Sequence, residues 1–200
     1  MSEQRWELRW GLLCELVTHA VPAKLGRTAI MKIAYFLQTF KDVPLDYDFR
    51  LYIYGPFDSD VLSDLGQLES LGAVKSHLVM YPSGYGYKFT PGPNLDEVQA
   101  LIDNPQVAYR DAIDWAMKEF GHRNAAELEL ISTIVYAGRE AVKQRQPIAF
   151  DELCRQVKAI KPHFDDSDIL QHIRDLAFKG LFLEEILAQG WSHSSVPATG

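Results

Sequence analysis

The sequence predicts a mainly α-helical α+β protein with a small antiparallel β-wing, of winged-helix-like architecture. In the segment 49–74, a short aromatic strand, a Gly55-Pro56 break, an acid-capped amphipathic helix and a glycine stop precede a new strand. Two strand patterns at 74–81 and 85–90, separated by a Pro-Ser-Gly turn, predict the wing. Helical periodicity over most of the remaining chain predicts that helices dominate.

The composition is that of a folded protein without a general electrostatic attraction to phosphate. The 200 residues are 47% hydrophobic and carry a formal net charge of −7. Contact with nucleic acid would therefore depend on a local basic patch. Two widely separated cysteines, Cys14 and Cys154, indicate a reducing compartment. We see no apolar signal sequence and no apolar run as long as a membrane span, so we expect a cytoplasmic protein without a membrane partner.

Periodicity and turn residues divide the first part of the chain into four elements. We expect helices over 6–20, 27–40 and 58–71, and a strand over 45–54 that ends at Gly55-Pro56. Thr28 is the expected N-cap of the second helix, and Asp58 or Ser59 that of the third. Gly72 is expected to end the third helix.

The rest of the chain is predicted as a series of helices. Their expected ranges are 94–102, 107–120, 124–143, 151–160 and 166–179, followed by a short strand at 181–183. Asn94, with Glu97 at capping-box spacing, and Asn124 are the expected N-caps of two of them.

Breaks rich in proline and glycine indicate the domain organisation. Pro91-Gly92-Pro93 ends an N-terminal winged-helix-like unit at 1–92, and Gln146-Pro147 ends a helical connecting block at 93–147. A C-terminal helix-turn-helix or winged-helix-like unit at 148–190 and a disordered tail at 191–200 complete the chain.

Two capped helices of the chain are similar in sequence. F-D-S-D-V-L at 57–62 aligns with D-D-S-D-I-L at 165–170, and the alignment continues without a gap to Gly72 and Gly180. One interpretation is a pair of tandem winged-helix units joined by the helical block. The other is that any capped helix before a strand converges on this pattern.

The sequence contains no recognisable motif for catalysis or metal binding. Its histidines and cysteines form no HxxxH or CxxC spacing, and neither a GxSxG motif nor a phosphate-binding glycine loop occurs. We therefore expect a protein that is not an enzyme, with no catalytic residues, no metal ligands and no cofactor.

One functional hypothesis is DNA binding by a homodimer, through the wing and a helix of the second unit. The candidate residues are Lys75 and Lys88 in the wing and Arg174 and Lys179 in the helix 166–179. The helix 58–71 has the usual reading position but carries acids, among them Asp64 and Glu69, and neither lysine nor arginine. We do not expect it to enter a groove. An ordinary solvated mixture of charges is the alternative interpretation of each basic group.

The other functional hypothesis is protein binding through a tyrosine-rich strand and wing. The candidate residues are Tyr52, Tyr54, Phe57 and Tyr85, because exposed aromatic side chains are frequent at the centres of interfaces. The alternative is that these aromatic residues only fill the space between the strand, the wing and the helices.

The motifs together resemble a known family. M-K-I-A-Y-F-L-Q at 31–38, Y-I-Y-G-P-F at 52–57 and the leucine-rich helix before G-A-V are similar to the YwgA-like and Panacea-type bacterial proteins. The segments 127–136 and 158–169 resemble the YwgA-like branch. The resemblance implies a winged-helix-like regulator, and the Panacea type implies an antitoxin that neutralises or delivers a partner. We therefore expect a regulatory binding module: a DNA-binding transcription regulator or, alternatively, a protein-binding antitoxin or adaptor.

Overall fold

The computed structural model describes residues 5–21, 24–81, 84–144 and 148–182. Within them, helices account for 62% of the residues, and the strands form two small antiparallel hairpins. The elements are α1 (Arg5–His19), α2 (Arg27–Phe40), β1 (Arg50–Tyr52), β2 (Gly55–Phe57), α3 (Ser59–Ser70), β3 (Val74–Tyr81), β4 (Gly84–Pro91), α4 (Leu95–Leu101), a 3-10 helix (Pro105–Tyr109), α5 (Arg110–Phe120), α6 (Ala125–Lys143), α7 (Phe150–Ile160) and α8 (Asp166–Phe178). The predicted mainly helical α+β class is confirmed.

The chain divides into two compact units, residues 1–129 and residues 130–200. In the first unit, α4, the 3-10 helix and α5 pack on α1 or α2. Phe120 of α5, for example, is buried with its ring centroid 4.1 Å from that of Phe36. The division therefore falls inside α6, whereas the sequence favoured boundaries after residues 92 and 147. Sequence breaks mark where the chain turns, but packing decides which helices share a core.

Helix α2 lies at the centre of the first unit. All eight residues from Ile30 to Leu37 are buried, including Lys32, which agrees with a helix that is apolar on most sides. The prediction of Thr28 as its N-cap was wrong: the N-cap is Gly26, with no side-chain hydrogen bond. The helix begins at Arg27, two residues earlier than a Thr28 cap requires, directly after a backbone contact between Gly26 and β4.

The predicted strand at 45–54 is only partly correct. Regular pairing is limited to β1, and the chain reverses into β2 where a break was expected. Asp46 has a positive φ of 53°, which an extended strand does not allow. The main-chain N–H and C=O of Tyr47 bond to the Gln38 side chain, at 3.0 and 2.9 Å, and not to a strand. Gly55, with φ 81°, permits the tight reversal.

Helix α3 has the ends that the sequence predicts. The Asp58 side chain caps it by accepting a hydrogen bond from the Asp60 N–H at 2.9 Å. Gly72 follows its last turn with φ 76°, as expected of a residue just beyond a helix C-terminus.

The two asparagine caps differ in outcome. Asn124 forms a capping box with Glu127: each side chain accepts a hydrogen bond from the other residue's N–H. Asn94 is the N-cap residue of α4, as expected, but its side chain makes no cap hydrogen bond, and its amide donates to the carbonyl oxygen of Leu71 at 2.9 Å. The predicted helix at 107–120 also divides into the 3-10 helix and α5.

Strands β3 and β4 form the predicted hairpin. The register pairs Val74 with Pro91 at the base and Tyr81 with Gly84 at the tip. At the base, the segment before α2 adds a short backbone contact, in which the Phe89 N–H donates to the carbonyl oxygen of Leu25 at 2.9 Å. The hairpin is thereby tied to α2 as well as to α3.

In the second unit, α7 and α8 pack against each other as a helix–turn–helix pair. The Lys158 ammonium donates to the carbonyl oxygen of Phe164 at 2.6 Å and supports the intervening turn. The predicted strand at 181–183 is not formed at Leu181 and Phe182, and its third residue lies outside the described residues, as does the predicted tail.

The described residues contain neither a helix able to cross a membrane nor a group of three or more histidine, cysteine, aspartate or glutamate side chains that could hold a metal ion. Both cysteines are buried free thiols. Burial, with a smaller effect of Glu15, raises the pKa of the Cys14 thiol to about 12, so this thiol is a core residue without nucleophilic character near neutral pH.

Candidate protein-interaction site

The hairpin β1–β2 is held to α2 through a buried lysine. Lys32 is 2% exposed, and its Nζ donates to the carbonyl oxygen of Pro56 at 2.6 Å. Tyr35, one turn further along α2, packs its ring edge-on against Phe49 at 5.2 Å between centroids. A charged donor bonded to a main-chain acceptor away from water makes a strong hydrogen bond, so the base of the hairpin is firmly positioned.

A single aspartate connects the base of this hairpin to α3. One Oδ of Asp58 accepts the capping bond from Asp60, and the other accepts from the Asp48 N–H at 2.6 Å. Asp48 also forms an ion pair with Arg50. Both chain ends of the hairpin are thus fixed by Asp58, while the hairpin itself projects beyond these bonds.

The tip of the hairpin exposes three large hydrophobic residues in a row. Tyr52, Ile53 and Tyr54 are 62%, 67% and 66% exposed. Ile53 and Tyr54 form the two-residue turn between the paired Tyr52 and Gly55. The ring of Phe57, which is half-buried at the base of the hairpin, lies 5.7 Å from that of Tyr52 on the same hairpin face. We call Tyr52, Ile53, Tyr54 and Phe57 the tip cluster.

The second hairpin, β3–β4, also exposes apolar side chains near its tip. Leu78 and Met80 are 60% and 73% exposed, and Tyr85, cross-strand partner of Met80, is exposed as well. Tyr85 contacts Tyr87 edge-on, and the Arg27 guanidinium lies 4.0 Å from the Tyr87 ring centroid. Rings held by such contacts lose little freedom when a partner covers them.

The four residues predicted for protein binding lie on two different hairpins. Tyr52, Tyr54 and Phe57 belong to the tip cluster, whereas Tyr85 lies on β4. The structure therefore brings three of them together. It adds Ile53 to the same cluster.

The four residues predicted for nucleic-acid binding are also divided. Lys75 and Lys88 lie on one face of the β3–β4 hairpin, together with His77, the cross-strand partner of Lys88. Arg174 lies in α8 of the second unit, and Lys179 follows that helix directly as its C-cap residue. Five positions on a helix correspond to a rotation of about 140°, so these two side chains do not share a helix face.

The two acids of α3 that sequence analysis named as unfavourable for groove binding form hydrogen bonds within the protein. Asp64 is buried and accepts hydrogen bonds from Trp10 Nε1 at 3.1 Å and from the Tyr47 hydroxyl at 2.9 Å. Glu69 accepts from the N–H of Ser76 on β3 at 3.1 Å. Asp60 remains exposed at the start of the helix. The exposed surface of α3 is formed by small polar and acidic residues, without a cation.

The roles of Lys32 and Asp64 were missed from the sequence. Lys32 lies inside the apolar run I-M-K-I-A-Y-F-L, a position where a solvated lysine is not expected, and this was the available signal. Asp64 has no comparable signal, because its partners are distant along the chain.

Comparison with known proteins identifies no family for this chain. No protein-family model matches this chain, and no curated protein matches it significantly.

Proposed function

We propose that this protein is a non-enzymatic binding module whose first unit is a winged-helix-like domain that contacts a partner protein through the tip cluster. It would act as an adaptor or antitoxin, the class that the resemblance to Panacea-type proteins implies. The single observation that carries the proposal is the row of exposed residues 52–54 on a hairpin with a fixed base.

The order of elements supports the winged-helix-like interpretation. Helices α1, α2 and α3 are followed by the β3–β4 hairpin, and a short segment between α1 and α2 pairs with β4. Winged-helix domains have this order of helices, first strand and wing. The hairpin β1–β2 is an addition between α2 and α3, where a simple winged helix has a turn.

The charge of α3 favours a protein partner over a DNA groove. Phosphate and base contacts need donors, and recognition helices supply them with lysine, arginine or amide side chains. The exposed residues of α3 include Asp60 and offer only Gln67 as an amide donor. The net charge of −7 adds no compensating long-range attraction to a polyanion.

The exposure of the tip cluster favours a binding role over a packing role. Large apolar side chains at a hairpin tip that remain exposed add nothing to the stability of the fold. Aromatic residues held on a rigid support provide binding energy at a low entropic cost, and they are enriched among residues that dominate interfaces. The bonds of Lys32 and Asp58 supply that support.

Photo-crosslinking from the tip tests this proposal. With benzoylphenylalanine in place of Tyr54, we expect irradiation in the host cell to yield a discrete adduct with one partner protein. The same group at Leu101, which is 79% exposed on α4, serves as the matched control. Absence of a protein adduct at position 54, or the same adducts at both positions, would contradict the proposal.

DNA binding by the β3–β4 hairpin is the second candidate function. It is favoured by the common face of Lys75, His77 and Lys88 and by the absence of an ion pair to either lysine within the described residues. If this face binds phosphates, a duplex should shift at low salt. Replacing both lysines by alanine should then reduce the slope of the logarithm of the binding constant against the logarithm of the salt concentration by about one unit per lysine. An unshifted duplex at low salt would eliminate this candidate.

A further inference from the structure

The end of the β3–β4 hairpin exposes four large side chains, although the base of the hairpin is buried. Val74 and Phe89, at the base, are both 2% exposed. Towards the turn, the exposed fractions rise to between 44% and 73%, for Leu78, Met80, Tyr81 and Tyr85. We call these four residues the wing end. The hairpin is thus anchored at its base and directs an apolar and aromatic end into solvent.

The wing end has apolar side chains on both faces of the hairpin. Met80 and Tyr85 are cross-strand partners and share one face with Leu78. Tyr81 lies on the other face beside Gly86, because a Cβ at Gly86 would lie 3.2 Å from Cε2 of Tyr81. A flat partner surface would cover one of these faces and leave the other exposed. A medium that surrounds the end of the hairpin would cover both.

Positive charges lie directly behind the wing end. The hairpin 74–91 contains no aspartate or glutamate, although the chain has 27 such residues. Lys88 pairs with His77, the residue before Leu78 on β3. The Arg27 guanidinium lies 4.0 Å from the ring centroid of Tyr87, which is the cross-strand partner of Leu78. The apolar end is therefore followed by cations and not by acids.

These cations form no ion pair within the described parts of the chain, where no carboxylate contacts Arg27, Lys75 or Lys88. Glu69 of α3, which bonds to the Ser76 N–H, lies at the base of the hairpin and not at the wing end. The net charge of −7 therefore arises outside the hairpin. Charges farther away than about 8 Å are largely screened at physiological ionic strength, so the hairpin presents a local positive charge.

The dimensions of the wing end fit the surface layer of a lipid bilayer. A β-strand rises about 3.4 Å per residue, so the stretch from Leu78 to Tyr81 is about 10 Å long. Amphipathic segments bury their apolar side chains about 5–10 Å deep at the boundary between headgroups and acyl chains. Tyrosine suits this layer, because its ring is apolar and its hydroxyl can bond to headgroups or water. At this depth, Arg27 and Lys88 would lie level with the lipid phosphates.

We infer that the wing end inserts into the surface of an anionic lipid bilayer, with Arg27, Lys75 and Lys88 beside the lipid phosphates. Leu78 and Met80 would enter the acyl boundary, while the cations would add attraction to anionic headgroups. This contact needs no helix that crosses the bilayer. It departs from the sequence-based expectation of no membrane partner, which rested on the lack of a long apolar run. The wing end and the tip cluster are on different hairpins, so the inference goes beyond the proposed function.

A DNA groove and a second copy of the chain fit the wing end less well. The minor groove is about 6 Å wide, whereas a hairpin with side chains on both faces is about 10 Å thick. The major groove is wide enough, but it presents hydrogen-bonding base edges, to which Leu78 and Met80 offer no side-chain donor. A symmetric contact between two wing ends would bring the Arg27 and Lys88 side chains of both copies together without counter-charges.

Sedimentation of the full chain with lipid vesicles tests the inference. At low salt, we expect sedimentation with vesicles of equal parts phosphatidylcholine and phosphatidylglycerol, and not with vesicles of phosphatidylcholine alone. Leu78→Thr/Met80→Thr should lower the partition coefficient at least about tenfold, because two apolar side chains are lost from the inserted end. Threonine suits a β-strand and both positions are exposed, so the variant should fold, which circular dichroism and thermal unfolding verify. Leu101→Thr, exposed on α4, is the matched control and should bind as the wild type does.

A fluorescent label distinguishes insertion from adsorption by charge alone. With a nitrobenzoxadiazole group on Met80→Cys, the mixed vesicles should raise the emission and shift it to the blue, because the label leaves water. Both native cysteines are buried, so the introduced thiol is labelled selectively. The same label on Leu101→Cys should not respond. Lys75→Glu/Lys88→Glu should abolish sedimentation with the mixed vesicles.

The inference would be overturned by absence of sedimentation with the mixed vesicles, by equal sedimentation with both kinds of vesicle, or by an unchanged label signal at position 80. A DNA duplex that binds when the vesicles do not, or a dimer that Leu78→Thr/Met80→Thr converts to a monomer, would likewise overturn it.

Discussion

Replacing Asp64 by alanine is expected to lower the free energy of unfolding by about 3–5 kcal/mol, because it leaves buried donors without their acceptor. Trp10 Nε1 and the Tyr47 hydroxyl both donate to the Asp64 carboxylate, and Arg9 Nε lies 3.3 Å from it. The same change would leave the Arg9 guanidinium, which packs on the Tyr47 ring, without a buried counter-charge. Urea unfolding followed by circular dichroism measures the effect.

Asp60→Ala is the matched control for Asp64→Ala. Asp60 lies on the same helix and also faces Arg9, at 3.6 Å, but its side chain is 62% exposed. An exposed ion pair contributes at most about 1 kcal/mol, so this variant should unfold almost as the wild type does. Equal losses for the two variants would show that the buried network has no special role in stability.

The Tyr47 phenol, which belongs to this network, has a raised pKa. Burial, followed by the nearby Asp64 carboxylate, raises the pKa of the Tyr47 phenol far above its ordinary value. The hydroxyl therefore remains protonated and continues to donate to Asp64 at alkaline pH. A phenol with a raised pKa contributes stability that is fully present below the pKa of the unfolded chain and is lost progressively as the pH rises from that value through the folded one.

Gly92→Ala is expected to destabilise the first unit by about 2–3 kcal/mol. A Cβ at this position would lie 2.2 Å from the carbonyl oxygen of Gly72, which is a backbone atom and cannot rotate away. The Gly92 N–H also donates to the carbonyl oxygen of Ala73 at 2.8 Å, so relief of the clash would strain this bond. Thermal unfolding should show a clear fall in Tm.

Gly66→Ala tests the same substitution where space is available. Gly66 lies within α3 and is exposed, and a Cβ there meets no atom within 4 Å. Because alanine is the better helix former, we expect a gain of about 0.5–1 kcal/mol. A lower stability of Gly66→Ala, or an unchanged Tm for Gly92→Ala, would contradict the packing described for the segment 66–92.

The elements with local signals are the ones that the sequence predicted well. Helix α3 has its capping aspartate, leucine stripe and terminal glycine within one segment, and the β3–β4 hairpin has its turn. The prediction of a strand at 45–54 was only partly correct. It rested on the alternation of residues along this segment, whereas the groups that bond to the Tyr47 main chain belong to Gln38 in α2. Alternating hydrophobicity does not show which partner satisfies the backbone.

The candidate site was predictable in part. The aromatic residues of the tip cluster are evident in the sequence, but their exposure depends on the reversal at Gly55, which the predicted straight strand did not contain. The support from Lys32 depends on a contact between residues 24 positions apart. Burial of a charged residue follows from packing of the whole unit, so only the structure could separate the exposed tip from its buried base.

The central claim is that a partner protein is bound through the tip cluster. The most direct test measures its binding constant by isothermal titration, with the partner that crosslinking identifies purified in its free form. Tyr52→Ala/Tyr54→Ala should weaken binding at least about 30-fold, because truncation of a dominant interface residue costs about 2 kcal/mol or more. Thermal unfolding should be nearly unchanged, since both side chains are exposed. Leu101→Ala should bind as the wild type does. If the double variant binds the partner with wild-type affinity, the tip cluster is not the binding site.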